Sequence, residues 1–181
     1  MLSLGKRCGL AALIVALTTV TGTAQSLLRF DMELIPLNSF DLAGGSYIAT
    51  LYEDEKPFSS KLLIECQDCP QTTDVVVGVE EDTTGAGDFF RSDPLGYLSQ
   101  LNADCHAQAV ACQVTQSKAG GFEGYAYVAR YDDGFYVVEQ SYHASGLRFV
   151  IIATGPSLKI SQANVATMLR VVGPYVSGQK K

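Results

Sequence analysis

Apolar and polar positions alternate from Leu28 to Leu34, with Leu28, Phe30, Met32 and Leu34 on one side and Arg29, Asp31 and Glu33 on the other. A period of two marks a half-buried strand, and Pro36 and Asn38 end it. Further β-rich runs follow at Ser46–Tyr52, Lys61–Cys66 and Asp74–Glu80. The acidic, Gly-rich stretch Glu81–Asp88 then reads as a mobile connection, with no phosphate-loop lysine and no EF-hand alternation. Phe122–Tyr131 and Phe135–His143 flank Asp132-Asp133-Gly134, whose Asp-Gly step accepts the positive φ of a hairpin turn. Leu147–Ala153 is apolar almost without a break, which predicts a central strand covered on both faces.

Two segments carry helical spacing instead. Asp93-Pro94 offers an N-cap and a proline at the first helical position, and Leu98, Leu101 and Cys105 then share a face. That helix is expected to end between His106 and Ala109, before a strand over Val110–Gln116. Ser161 is the expected N-cap of a second helix, between Ile160 and Val165 as a hydrophobic staple. Val165, Met168, Leu169 and Val172 form its core-facing stripe, and Gly173-Pro174 stops it. The expectation is a single α+β domain over residues 25–176: an antiparallel sheet with a central meander, flanked by two helices in an α/β/α-sandwich-like arrangement. Residues 177–181 read as a disordered basic tail.

The start of the chain follows another logic. Lys6 and Arg7 precede an apolar run from Gly9 to Leu17, and Gly22 and Ala24 supply a small-x-small cleavage pattern. Residues 1–24 therefore read as a secretory signal peptide rather than a membrane anchor, because Thr18 and Thr19 cut the run short of the roughly 20 apolar residues a span needs. Cys8 comes before the apolar run, which argues against a lipid-attachment site. The mature chain holds no second long apolar segment, so no transmembrane segment is expected in it, and the location implied is periplasmic or secreted.

Composition sharpens this. The 181 residues carry 13 Lys and Arg against 19 Asp and Glu, a net charge of −6 that becomes −8 once Lys6 and Arg7 are removed. Such a balance argues against nucleic acid, which is bound through clustered cations. A 47% hydrophobic content is ample for a core.

The mature chain keeps Cys66, Cys69, Cys105 and Cys112. An even count in an exported protein points to disulfides. Spacing favours Cys66–Cys69 and Cys105–Cys112, with crossed pairings left open. Cys66-Gln67-Asp68-Cys69 also admits a thiol-disulfide oxidoreductase, although Glu65 and Asp68 disfavour a thiolate and no helix pattern begins there. Zinc held by all four sulfurs is the third reading, at a loose spacing.

Other chemistry is sparse. His106 and His143 are the only histidines, neither in a metal-ligand spacing, and no Gly-x-Ser-x-Gly elbow exists. His106 is expected near a helix end and His143 at a strand end on the sheet surface. No catalytic residue, metal or cofactor is assigned. Of nine tyrosines, Tyr125, Tyr127, Tyr131, Tyr136 and Tyr142 fall on the central hairpin. Even spacing puts Tyr125, Tyr127 and Tyr131 on one face, and Tyr136 and Tyr142 likewise share one. Tyrosine suits binding surfaces, so these five form a possible binding face, unless helices cover it.

The helix from Pro94, the Gly124-Tyr-Ala-Tyr-Val strand with its Phe135-Tyr-Val-Val partner, the apolar strand Phe149-Val-Ile-Ile-Ala and the closing helix resemble the PsbP-like/DcrB-like fold over residues 90–176. That resemblance implies a small, often exported α/β/α domain acting as an accessory or binding protein, and it carries no functional residue with it. The function expected is thus a non-catalytic exported binding protein for a protein, peptide or glycan, with thiol-disulfide exchange at Cys66 and Cys69 as the alternative. The sequence leaves the oligomeric state open.

Overall fold

The computed structural model describes residues 27–30, 41–55, 58–69, 72–119, 122–144, 146–173 and 176–179. The expected signal peptide, and residues 31–34 of the first expected strand, lie outside the described residues. The elements in order are β1 (Leu27–Phe30), β2 (Tyr47–Glu55), β3 (Phe58–Cys66), β4 (Asp74–Glu81), α1 (Ala86–Ser92), α2 (Pro94–Gln108), β5 (Ala111–Ala119), β6 (Phe122–Arg130), β7 (Tyr136–Ala144), β8 (Leu147–Gly155), α3 (Leu158–Val172) and β9 (Val176–Gln179).

Seven strands form one antiparallel sheet in the order β2-β3-β4-β8-β7-β6-β5. Hairpins build β2 to β4. The chain then leaves through α1 and α2 to the far edge and returns strand by strand, until β8 closes against β4 with Ile151 opposite Val77. The meander has four strands, because β5 pairs with β6 along its whole length. β1 and β9 pair separately, Leu27 opposite Gln179, so a strand stands where the sequence suggested a tail from residue 177.

The pleat sorts the side chains. Val75, Val77 and Val79 of β4, Phe149, Ile151 and Ala153 of β8, and Val138 and Tyr142 of β7 form one core with Val165, Met168 and Val172 of α3. The stripe predicted for the last helix is the one that packs. Its start is earlier than expected: Ser157 caps it, accepting a hydrogen bond from Ile160 N at 3.5 Å, and Ser161 is buried in the first turn. Gly155-Pro156 ends β8 so abruptly that Ser157 already stands at the cap position.

Phe149, Val150 and Ile151 are consecutive and all buried, so β8 is covered on both sides as its composition implied. The second cover comes from α1 and α2. α2 begins as expected, with Asp93 Oδ1 accepting from Gly96 N at 2.9 Å and Pro94 in the first turn. Three helices rather than two accompany the sheet among the described residues, because the expected loop over Glu81–Asp88 runs into α1. Asp82 orders that stretch. Its carboxylate accepts from Gly87 N at 2.5 Å, Ala86 N at 3.1 Å and Thr84 Oγ1 at 3.0 Å.

No described helix is long and apolar enough to cross a membrane.

Candidate functional site

Register brings charges together on the sheet face opposite α3. Arg148 of β8 stands between Glu80 of β4 and His143 of β7. Ser141 and Glu139 follow on the same face of β7, with Tyr125 of β6 opposite Ser141. The guanidinium uses this neighbourhood fully. Nη1 donates to Glu80 Oε1 at 3.1 Å and Nε to Ser141 Oγ at 2.9 Å. Nη2 donates to Glu139 Oε1 at 2.7 Å and Tyr125 Oη at 3.3 Å. Tyr125 in turn donates to Glu139 at 2.8 Å, and Lys61 of β3 reaches the other Glu80 oxygen at 3.3 Å. Burial opposes the charge on Arg148, but Tyr125, Glu139 and Glu80 outweigh it and raise its pKa. Burial, followed by the Glu139 charge, pushes the Tyr125 phenol far above its ordinary value. Both groups keep their protonation across the physiological range and act as fixed hydrogen-bonding groups.

Beside this cluster His143 is shut into an aromatic box. Its ring stacks on Phe90 of α1 at 5.9 Å and meets Tyr97 of α2 and Tyr125 at 6.1 and 6.2 Å. Neither ring nitrogen has a hydrogen-bond partner, and the side chain is only 1% exposed. Burial, then the Arg148 guanidinium, lowers its pKa to about 4, so the ring is neutral at pH 7. Burial alone would raise the Asp82 carboxyl. The Gly87 amide, the Thr84 hydroxyl and the Ala86 amide outweigh that and hold it below the usual range. The sequence placed His143 at the sheet surface. It is buried instead, because α1 lies over it, and α1 has only seven residues with no amphipathic repeat to betray it.

Above the charge cluster lies a cleft of about 440 Å³, lined by Ser59, Lys61, Glu80, Tyr97, Tyr125 and Arg148 and rimmed by residues 81–84 and Ala86. A second groove of about 260 Å³ runs between α1 and α2 past Phe89, Gln100, Leu101 and Asp104. Thr84, Ala86 and Tyr97 border both, so the two hollows adjoin across the Tyr97 ring.

The five hairpin tyrosines divide between the two faces. Tyr125 and Tyr127 share the cleft side of β6, and Tyr127 meets Tyr131 hydroxyl to hydroxyl at 3.3 Å beyond the strand end. Burial, then the neighbouring Tyr131, raises the Tyr127 pKa. Tyr142 is buried on the α3 side, stacked on Phe149 at 6.2 Å. Tyr136 is half-buried on that side, with the Arg130 guanidinium 5.9 Å from its ring centre. Only Tyr125 borders the cleft. Tyr97, its second aromatic wall, comes from α2, and no hairpin pattern could have pointed to it.

The cysteines pair as spacing favoured, Cys66 with Cys69 and Cys105 with Cys112, at Cα separations of 5.7 and 6.0 Å. The second bridge ties the last turn of α2 to the start of β5. Cys66 ends β3 and lies in a turn, not at a helix N-terminus. Asp68 sits at this bridge with its carboxylate fixed by Ser46 N at 2.6 Å and Ser46 Oγ at 3.1 Å, and 3.7 Å from Cys66 Sγ. Those bonds hold its pKa low, so a charge stands beside the sulfur where a thiolate would form. Cys66, Asp68 and Cys69 are the one described cluster with metal-ligand proximity, but its sulfurs are bonded to each other.

No protein-family model, curated protein or solved structure matches this chain. Its chemistry therefore rests on these residues. The Ser141 hydroxyl is held by Arg148 and the His143 nitrogens are sealed behind aromatic rings, so Ser141 and His143 do not pair with each other. What the arrangement offers is a rigid set of donors and acceptors.

Proposed function

We propose that this chain is an exported, non-catalytic accessory or binding protein whose ligand enters the cleft above Arg148. The observation that carries this reading is the Arg148 cluster itself. Four side chains from β4, β6 and β7 hold the guanidinium in place, and a hollow opens directly over it. A positioned polar floor beneath a concave surface is the usual form of a recognition site. The two local disulfides support an oxidising compartment, periplasmic or extracellular, and with it the signal-peptide reading of residues 1–24. The finer architecture we assign is an α/β/α sandwich of PsbP-like/DcrB-like kind. Its support is α3 against one face of the sheet and the Cys105–Cys112 bridge of α2 to the other.

The test uses the full chain expressed in its own compartment. A photo-crosslinking residue at position 97 is expected to trap a partner molecule, whereas one at Gln162, exposed on α3, traps none. The purified protein is expected to begin at Gln25 with all four thiols blocked. Equal labelling at the two positions, or an intact Met1 with free thiols, overturns the reading.

A further inference from the structure

The charges around the cleft are already spent. Arg148 is paired with Glu80 and Glu139, Lys61 with Glu80, and Asp82 with the amides of α1 and the Thr84 hydroxyl. An anionic ligand would find no unspent cation among the described lining residues. A cationic ligand would have to displace Lys61 or Arg148 from the carboxylates they hold. A lipid would meet charged and hydroxyl side chains where it needs apolar ones.

A peptide that adds to the sheet as a strand is excluded by another feature. Main-chain recognition of a peptide uses an open strand edge. The strands beneath this cleft, β3, β4 and β8, are each paired on both sides, and only β2 and β5 are edges of the sheet. The cleft therefore offers its ligand no open strand edge and presents side chains from its floor. Those side chains are the hydroxyls of Ser59, Thr83 and Tyr97, the ion-paired Glu80 and Arg148, and the amphipathic Tyr97 ring.

Planar charged groups that already neutralise one another still present hydrogen-bonding edges, and paired hydroxyls match such edges. A tyrosine ring offers a flat apolar surface with a polar rim. We infer that the cleft binds a neutral glycan, seated over Glu80 and Arg148 and continuing across the Tyr97 ring into the groove between α1 and α2. This rests on the binding reading above and names its ligand class. The adjoining hollows of about 440 and 260 Å³ suit an elongated occupant better than a single sugar.

The test is a titration of the mature protein with neutral hexasaccharides (cellohexaose, maltohexaose, xylohexaose and chitohexaose), their disaccharides, an acidic hexagalacturonate and a neutral hexapeptide. The chain has no tryptophan, so its intrinsic emission comes from its nine tyrosines, Tyr97 and Tyr125 among them, and the loss of the signal in Tyr97→Leu assigns it to the cleft. At least one neutral hexasaccharide is expected to bind saturably, and more tightly than its disaccharide. Tyr97→Leu is expected to weaken that binding about tenfold, and Tyr97→Phe only slightly. Lys61→Met, at a half-exposed position outside the core, tests the floor without risk to folding, and each variant's thermal melt confirms its fold.

Failure of every neutral hexasaccharide to bind overturns the glycan assignment, as does tighter binding of hexagalacturonate. Peptide binding that depends on Tyr97 overturns it too, but leaves the binding reading standing. Silence from all probes, together with equal crosslinking at positions 97 and 162, removes both.

Discussion

His143 Nδ1 stops 3.9 Å from Asp82 Oδ2, and neither ring nitrogen finds a hydrogen-bond partner. Asp82 is turned toward the α1 amides, and Phe90 closes the box from above. The imidazole is thus buried neutral, and acid is its natural enemy. The unfolded chain protonates this ring below about 6.5, the folded protein only below about 4. Stability is therefore whole above the unfolded value, declines as the pH falls between the two, and on this account stops declining below the folded one. The full loss is roughly 3 kcal/mol. Asp82 adds a separate loss at lower pH, because its depressed pKa makes its contribution vanish only as the carboxylate protonates. Urea midpoints measured across this range are expected to fall steeply for the wild type. For His143→Leu they should stay nearly flat between about pH 6.5 and 4.

Removing the guanidinium should cost more than removing either of its partners. Arg148→Met leaves Glu80 and Glu139 with no cation but Lys61, and Glu139 is only 13% exposed. Breaking a partly buried pair in this way costs about 3 kcal/mol. Arg148→Lys should not rescue it, since one ammonium cannot serve Glu80, Ser141, Tyr125 and Glu139 together. Guanidinium denaturation of the wild type, Arg148→Met, Arg148→Lys, Glu80→Gln and Glu139→Gln at neutral pH measures both effects.

The two disulfides should differ in weight. Cys105–Cys112 spans seven residues and joins two elements, whereas Cys66–Cys69 spans three within one turn. The loop-entropy relation gives about 2.5 kcal/mol for the first and about 2 for the second. The Cys105→Ser/Cys112→Ser protein should therefore melt below Cys66→Ser/Cys69→Ser. The reverse order of melting temperatures would show that the turn at Cys66 carries the fold.

Asn164 is a contact the sequence did not announce. It sits in the middle of α3, fully buried, accepting from Ala43 N at 2.7 Å and donating to Ala43 O at 3.3 Å and Tyr47 Oη at 3.2 Å. Asn164→Leu leaves Ala43 N unpaired, while Ala43 O keeps the Tyr47 hydroxyl at 2.8 Å, and is expected to cost about 2 kcal/mol. Hydrogen exchange should quicken at Ala43 and at the start of β2 while the β7–β8 amides stay protected.

Much of this molecule was legible locally. Asp93-Pro94 starts α2 because a cap and a fixed φ act within one turn. Asp132-Asp133-Gly134 makes the β6–β7 hairpin because Gly134 adopts a φ of 85° and Phe135 N donates to Asp133 at 2.9 Å. The Val165–Met168–Val172 stripe packs because helical spacing alone gathers it on one face. Two serines, Ser157 and Ser161, compete for the cap of α3, and only the end of β8 decides for Ser157. α1 stayed hidden because Asp82 and Gly85 organise it through backbone geometry rather than a hydrophobic repeat.

The chain alone determined the strands of the seven-stranded sheet, its main helices, the parity of its tyrosines and the pairing its cysteines favour, since each depends on residues within about ten positions of one another. Tertiary structure alone decided that Glu80 meets Arg148 across 68 residues, that Tyr97 walls the cleft and that His143 is sealed from water. Those outcomes follow from which strands lie side by side after the chain crosses from β4 to the far edge and returns. Register between distant strands is set by the packing of whole faces, and no short window of sequence contains it.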